Sequence, residues 1–339
     1  MTAYTKLETL CIFLLLLSFA LPSLAEQQCQ SKSGGCYDKA ASLKLKFIAI
    51  CSILVTSMIG VCLPMFTHAV PAVQADKDLF MIVKAFASGV ILATGYMHVL
   101  PDSFDDLRSL CLPEKPWRKF PFTTFVAMLS AVVTLMVDSL AMSYYKKYCS
   151  KISGEGRISD RVEHGHFKIE EGKDDMGSQL LRHRVVAQVL ELGIIVHSVV
   201  IGLAMGASDN PCTIRPLIAA LCFHQLFEGM GLGGCILQAE YERKMKSILV
   251  FFFSATTPFG IALGIGLSNV YSDSSPTALI VVGLLNAASA GLLNYMALVD
   301  LLASDFMGPK LQGNVKLQMW SYLAVLLGAG GMSLMAKWA

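Results

Sequence analysis

Eight stretches of this chain stay apolar for the length of a membrane-crossing helix, and no other feature constrains the fold as strongly. They run from about Leu45 to Phe66, Leu79 to Leu100, Phe120 to Met142, Val185 to Met205, Thr213 to Leu237, Ile248 to Ser268, Thr277 to Leu302 and Leu317 to Ala336. A helix rises 1.5 Å per residue, so roughly 20 apolar residues cross the hydrocarbon core of a bilayer. The pattern predicts an all-α, polytopic membrane protein with eight transmembrane helices. Composition agrees, since 54% of the 339 residues are hydrophobic and only 15% are charged, with a mean hydropathy of +0.57. A soluble domain has a different balance. The net charge of +2, with no basic run interleaved with aromatics, excludes nucleic acid as a partner.

Residues 1–25 need a separate reading. Lys6, the apolar run Cys11–Leu21 and then Pro22-Ser-Leu-Ala25 have the layout of a cleavable secretory signal. An uncleaved anchor helix is the rival, although the run is shorter than a bilayer span. Residues 26–142 then hold an extracellular amino terminus and spans one to three. Residues 143–183 form a polar, charge-rich cytoplasmic loop, and 184–339 hold spans four to eight. Lys and Arg favour the cytoplasmic side of short loops. With the mature amino terminus outside, fifteen such residues lie inside and ten outside, a weak bias that Lys44 and Lys46 oppose. Cys29, Cys36, Cys111 and Cys212 fall on the oxidising side, where disulfides persist; the first expectation is a Cys29–Cys36 bridge. The Thr256-Thr-Pro258 step is expected to break or kink span six, because proline lacks an N–H.

Polar side chains inside these spans carry the functional signal. His224 and Glu228, at i and i+4, project from one face of span five, one turn apart, and span four brings His197. A nitrogen and a carboxylate oxygen so placed can grip a divalent cation; a single intramembrane His that caps a neighbouring carbonyl is the plain alternative. Ionisable groups in lipid are costly and are usually kept for function. Span two ends with His98 and Asp102, again at i and i+4, read as a cation entrance near the outer mouth, with Asp105 and Asp106 just beyond as surface residues. Asp138 and Asp300 lie near cytoplasmic ends, either solvated exit-side groups or partners of basic loop residues. Glu191 is an exit ligand or a helix–helix hydrogen bond. His164 and His166 make the 143–183 loop either a transient metal-binding segment or a solvated linker. His nitrogen with carboxylate oxygen suits Zn, Fe(II), Mn, Co or Cd, and the lack of a Cys/Met cage argues against Cu(I).

With these residues in hand, the chain resembles the ZIP (Zrt-, Irt-like) family of zinc and iron transporters, in particular its plant branch. The resemblance rests on Tyr96-Met-His-Val-Leu-Pro-Asp-Ser103, Glu191-Leu-Gly-Ile-Ile-Val-His-Ser-Val-Val-Ile-Gly202, Phe223-His-Gln-Leu-Phe-Glu-Gly-Met-Gly-Leu-Gly-Gly-Cys235, Met296-Ala-Leu-Val-Asp-Leu-Leu302 and Ala336-Lys-Trp-Ala339. It implies both termini outside and a transport site on spans four and five, with His197, Ser198, His224, Gln225 and Glu228 as its ligands. It also implies that His98, Asp102 and Asp105 influence metal choice and that Asp138 matters for transport. Some members carry a bridging carboxylate four residues after the span-four His. Here that position is Ile201, so one principal site, His197–His224–Glu228, is expected, with Gln225 and Ser198 as weaker groups.

The expected function is import of a divalent transition metal, zinc and/or iron with Mn2+, Cd2+ and Co2+ as further candidates, from outside or the lumen into the cytosol. The transported ion takes the place of a cofactor. The expected partners are divalent metal ions and the lipid bilayer, a homodimer is the assembly considered, and the plasma membrane is the expected location. No Gly-x-x-x-x-Gly-Lys motif for ATP is present. The rival is an intramembrane zinc hydrolase with Glu228 as general base; it lacks a His-Glu-x-x-His motif.

Overall fold

The computed structural model describes residues 36, 38–66, 78–156, 171–268 and 275–337, with only the backbone for 145–156 and 171–179. The segment 1–25, Cys29, His164 and His166 lie outside the described residues. Among those described, eight helices are long and apolar enough to cross a membrane, each matching one of the eight apolar stretches. They are α1 (Lys39–Phe66), α2 (Asp78–Leu107), α3 (Phe122–Gly156), α4 (Glu171–Ala207), α5 (Pro211–Gln238), α6 (Arg243–Leu267), α7 (Pro276–Phe306) and α8 (Val315–Ala336). Several starts are written locally. Asn210 and Ser275 accept hydrogen bonds from Cys212 N and Ala278 N, and a proline follows each at the first helical position, where its missing N–H would have no partner in any case.

The helices differ from the sequence reading in four respects. Helices α3 and α4 continue past the membrane-length spans, so much of 143–183 is helical and only 157–170 falls outside the described part. Helices α2 and α7 each contain a π-helical stretch, Thr94–Val99 and Met296–Ala303; hydropathy cannot report such a local change of hydrogen-bond register. Helix α6 runs through Pro258 without breaking, and Thr256 Oγ1 donates back to Phe252 O one turn earlier. Finally, Cys36 is bonded to Cys212 and not to Cys29. Nearness in sequence misled here, because the start of α1 lies beside the start of α5. Asp209 at the same corner pairs with the buried Lys46 at 3.3 Å, and this neutralises one of the lysines that counted against the orientation.

Packing is pairwise: α1 lies along α5, α4 along α6, α2 along α8 and α3 along α7. Glycines set these pairings. A methyl added at Gly202 would lie 2.7 Å from Thr257 O, and one at Gly260 would lie 2.9 Å from Val199 O. Without a hydrophobic drive between helices in lipid, such close backbone approach supplies the dispersion contacts that hold them together. Helices α2, α4 and α5 are the most enclosed, whereas α3 turns Phe125, Met128, Val132, Met136 and Leu140 outward, as a lipid-facing helix does. His98, His197, His224 and Glu228 sit on these enclosed helices. Gly202→Ala should destabilise the detergent-purified protein by about 1–3 kcal/mol, read as a lower melting temperature. Gly330→Ala, whose added methyl meets open space, should melt with wild type.

Candidate metal centre

Helices α4 and α5 bring His197, His224 and Glu228 together at the centre of the bundle. One ligand atom from each lies within 4.8 Å of the others, and the two imidazole centroids are 5.7 Å apart. All three residues are at most 1% exposed. Neither nitrogen of either imidazole and neither Glu228 oxygen has a hydrogen-bond partner. That rules out the carbonyl-capping role for these two histidines. Leaving one buried polar group unpartnered costs about 1–3 kcal/mol, and a fold that gathers six such atoms in one place needs something to occupy it. The donors are borderline nitrogen and hard oxygen, the set that suits Zn2+ or Fe2+.

The flanking positions are equally dry. Ser198 and Gln225 are each 1% exposed, and Ser198 Oγ and Gln225 Nε2 lack partners. Ile201, one turn beyond His197, packs among Ala49, Ile53, Met205, Leu221 and Ile261, so that side offers no donor to a second ion. Glu191 is fully buried but six residues before His197, and it is not part of the three-residue cluster.

His98 lies deeper than its sequence position suggested. Its ring centroid is 6.1 Å from that of His224 and 6.4 Å from that of His197, so it borders the central site and is not a mouth residue. It sits in the π-helical stretch of α2, a distortion often found at functional positions. His98 Nδ1 lies 3.6 Å from Asp102 Oδ2, and the Asp102 side chain is half exposed. That separation is an electrostatic contact and too long for a hydrogen bond. Asp105 points outward, exposed. Asp106, read from the sequence as a surface residue, is partly buried against α7, near Asn286 and Gly283. His98, Asp102 and Asp106, spaced by four, thus follow one face of α2 from the centre towards the mouth.

At the opposite end, Asp138 is half-buried and accepts a hydrogen bond from Tyr295 Oη at 3.4 Å. Asp300 is 3% exposed, which excludes the solvated reading, and both its oxygens lack partners. Arg182 lies near enough to act electrostatically on both carboxylates. The sequence reading overlooked Lys84 on α2, whose Nζ lies 2.9 Å from Asp305 Oδ1 and 3.1 Å from Gln238 Oε1. The available signal was a lysine inside an otherwise apolar span.

A fold of eight apolar helices around a dry His/Glu cluster defines a multi-pass membrane protein equipped to hold a cation in its interior. The family model described as ZIP Zinc transporter matches residues 43–336, and the chain belongs to the ZIP family. Fe(2+) transport protein 1 of Oryza sativa subsp. japonica is 64% identical over 325 residues, covering 90% of this chain and 87% of the relative. Zinc transporter 7 and Fe(2+) transport protein 1 of Arabidopsis thaliana are each 58% identical, with 98% of both chains covered in each case. These relatives are metal transporters and not enzymes, so the hydrolase alternative falls away. Glu228→Gln, which keeps shape but loses the charge, should weaken Zn2+ binding at least about tenfold, or ~1.4 kcal/mol, by isothermal titration. Unchanged affinity would remove Glu228 from the site.

Proposed function

We propose that this chain imports divalent transition-metal ions, zinc and/or iron, into the cytosol through a single site formed by His197, His224 and Glu228. The observation that carries this reading is the convergence of three buried, unpartnered ligand groups on α4 and α5. The names of the relatives, which include both Fe(2+) transport proteins and zinc transporters, supply the ion class. In this reading Asp102 and Asp105 concentrate cations at the mouth, since negative charge there raises the local ion concentration before dehydration. His98 accepts the ion from Asp102 and passes it to the two central imidazoles. Ser198 and Gln225 add weaker oxygen or amide contacts. Asp138 and Glu191 act on the route to the cytosol, where His164 and His166 of the 157–170 segment receive the ion.

Three protein ligands on two helices fit transport better than storage, because a closed four-ligand cage of Zn2+ is a structural site that would hold its ion too long. The membrane potential contributes about 2.3 kcal/mol per charge per 100 mV to inward movement. No cofactor beyond the transported ion enters the scheme. A signal at 1–25, the plasma membrane as destination and a homodimer as assembly complete the proposal.

Radiometal uptake in cells lacking their own importer tests it. Wild type at the cell surface should raise uptake of Zn2+ or Fe2+, and its failure with Zn2+, Fe2+, Mn2+ and Cd2+ alike would sink the reading. His197→Ala, His224→Ala and Glu228→Ala should each abolish uptake with surface level intact. Asp102→Ala and Asp105→Ala should change the ranking of metals in competition uptake; an unaltered ranking would exclude them as selectivity residues.

A further inference from the structure

Lys84 is the seventh residue of α2. Its side chain is 6% exposed, and its ammonium is shared between Asp305 Oδ1 at 2.9 Å and Gln238 Oε1 at 3.1 Å. Three membrane helices meet at this nitrogen: α2, the end of α5 and the end of α7. A buried ammonium is costly unless paired, and a structural tie between helices could have been made with neutral groups. Its surroundings give the charge a use. Lys84, Gln238 and Asp305 line a cavity of about 480 Å³ together with Arg182, His183, Cys235 and Asp300. Asp300 is 3% exposed and both its oxygens lack hydrogen-bond partners.

The cavity lies along the helices that hold the central ligands. Cys235 follows Glu228 by seven residues on α5, about 10 Å along the axis. On the transport reading, an ion that leaves His197, His224 and Glu228 along α5 towards the cytosol meets this chamber and its two carboxylates, Asp300 buried and Asp305 partly exposed. Left without cations in a partly enclosed cavity, such a pair would retain a divalent ion, since Coulomb attraction there is stronger than in water. Asp305 is in direct contact with the Lys84 ammonium, while Asp300 feels the charge of Arg182 only at longer range.

We propose that Lys84 is a tethered counter-cation of the exit route. Its ammonium holds Asp305 when no ion is present and competes with a departing divalent ion for the chamber's carboxylates, so that the ion is released and not trapped. Lys84 in this role is a positioning residue that acts through Asp305. The inference rests on the transport reading and adds to it a reason for fast release.

The test uses full-length protein in two measurements: Cd2+ binding stoichiometry in detergent, and surface-normalised uptake kinetics with Zn2+. Lys84→Met should bind about one more Cd2+ per chain than wild type, and its maximal uptake rate should fall at least about tenfold while its KM also falls. The double variant Lys84→Met/Asp305→Asn should lose the extra Cd2+ and recover most of the rate. Lys84→Arg, which keeps the charge, should bind no extra ion. Wild-type stoichiometry and rate in Lys84→Met would overturn the proposal, as would a double variant no faster than the single one, which is the result of a purely structural tie. Should Lys84→Met fail to fold, Asp305→Asn alone decides: an ammonium without its carboxylate should repel the ion and slow uptake with no extra Cd2+ bound, and wild-type rate would refute the idea. Wild-type protein that shows no uptake would instead count against the transport reading, and the Cd2+ stoichiometry would still be read independently.

Discussion

The bundle depends on one constraint: polar groups that can hold a divalent ion must be kept inside hydrocarbon without being satisfied by the protein itself. Water cannot reach the imidazoles of His197 and His224 or the carboxylate of Glu228, and no neighbouring side chain or carbonyl bonds them. Such an arrangement opposes folding, because each bare group loses its hydration for no return. It survives because the helices around it associate tightly through small residues. Gly202 and Gly206 on α4 meet Gly260 and Gly264 on α6, and Gly60 on α1 meets Gly229 on α5. The helices that carry ligands are thus each clamped by a partner that carries none of the three.

The same separation of labour runs through the rest of the molecule. Helix α3 contributes apolar surface to lipid and a few polar groups, among them Thr123, Ser130 and Asp138, to contacts with α2 and α7, while α8 packs on α2. On the cysteine-bearing face, the Cys36–Cys212 bond and the Lys46–Asp209 pair fasten the start of α1 to the first turn of α5 and the loop before it. At the other face, Lys84, Gln238 and Asp305 join α2, α5 and α7. The ligand-bearing helix α5 is therefore anchored at both ends by ionic or covalent contacts, and its middle is left to dispersion and to the site.

Much of this was legible in the residues. Hydropathy located all eight helices because the length of an apolar run is set by the thickness of the bilayer, a constraint that acts on each segment alone. The i and i+4 spacing put His224 and Glu228 on one face because that is a property of a single helix. Where two segments had to be related, local reasoning failed. The disulfide joins residues 176 apart in sequence, a pairing that the Cys29–Cys36 expectation does not anticipate. His98 was assigned to the mouth by its position in the chain, yet the packing of α2 sets it against both central imidazoles.

The sequence by itself determined the membrane class, the number of helices and the polar residues set inside them, since hydrophobic length and helical period are written in consecutive residues. Only the tertiary structure decided which polar groups meet. The convergence of His197 with His224 and Glu228, the inward turn of Asp106, and the burial of Asp300 beside a Lys84–Asp305 pair all depend on how helices far apart in the chain are packed. Glycine contacts between backbones fix that packing, and no single segment encodes it.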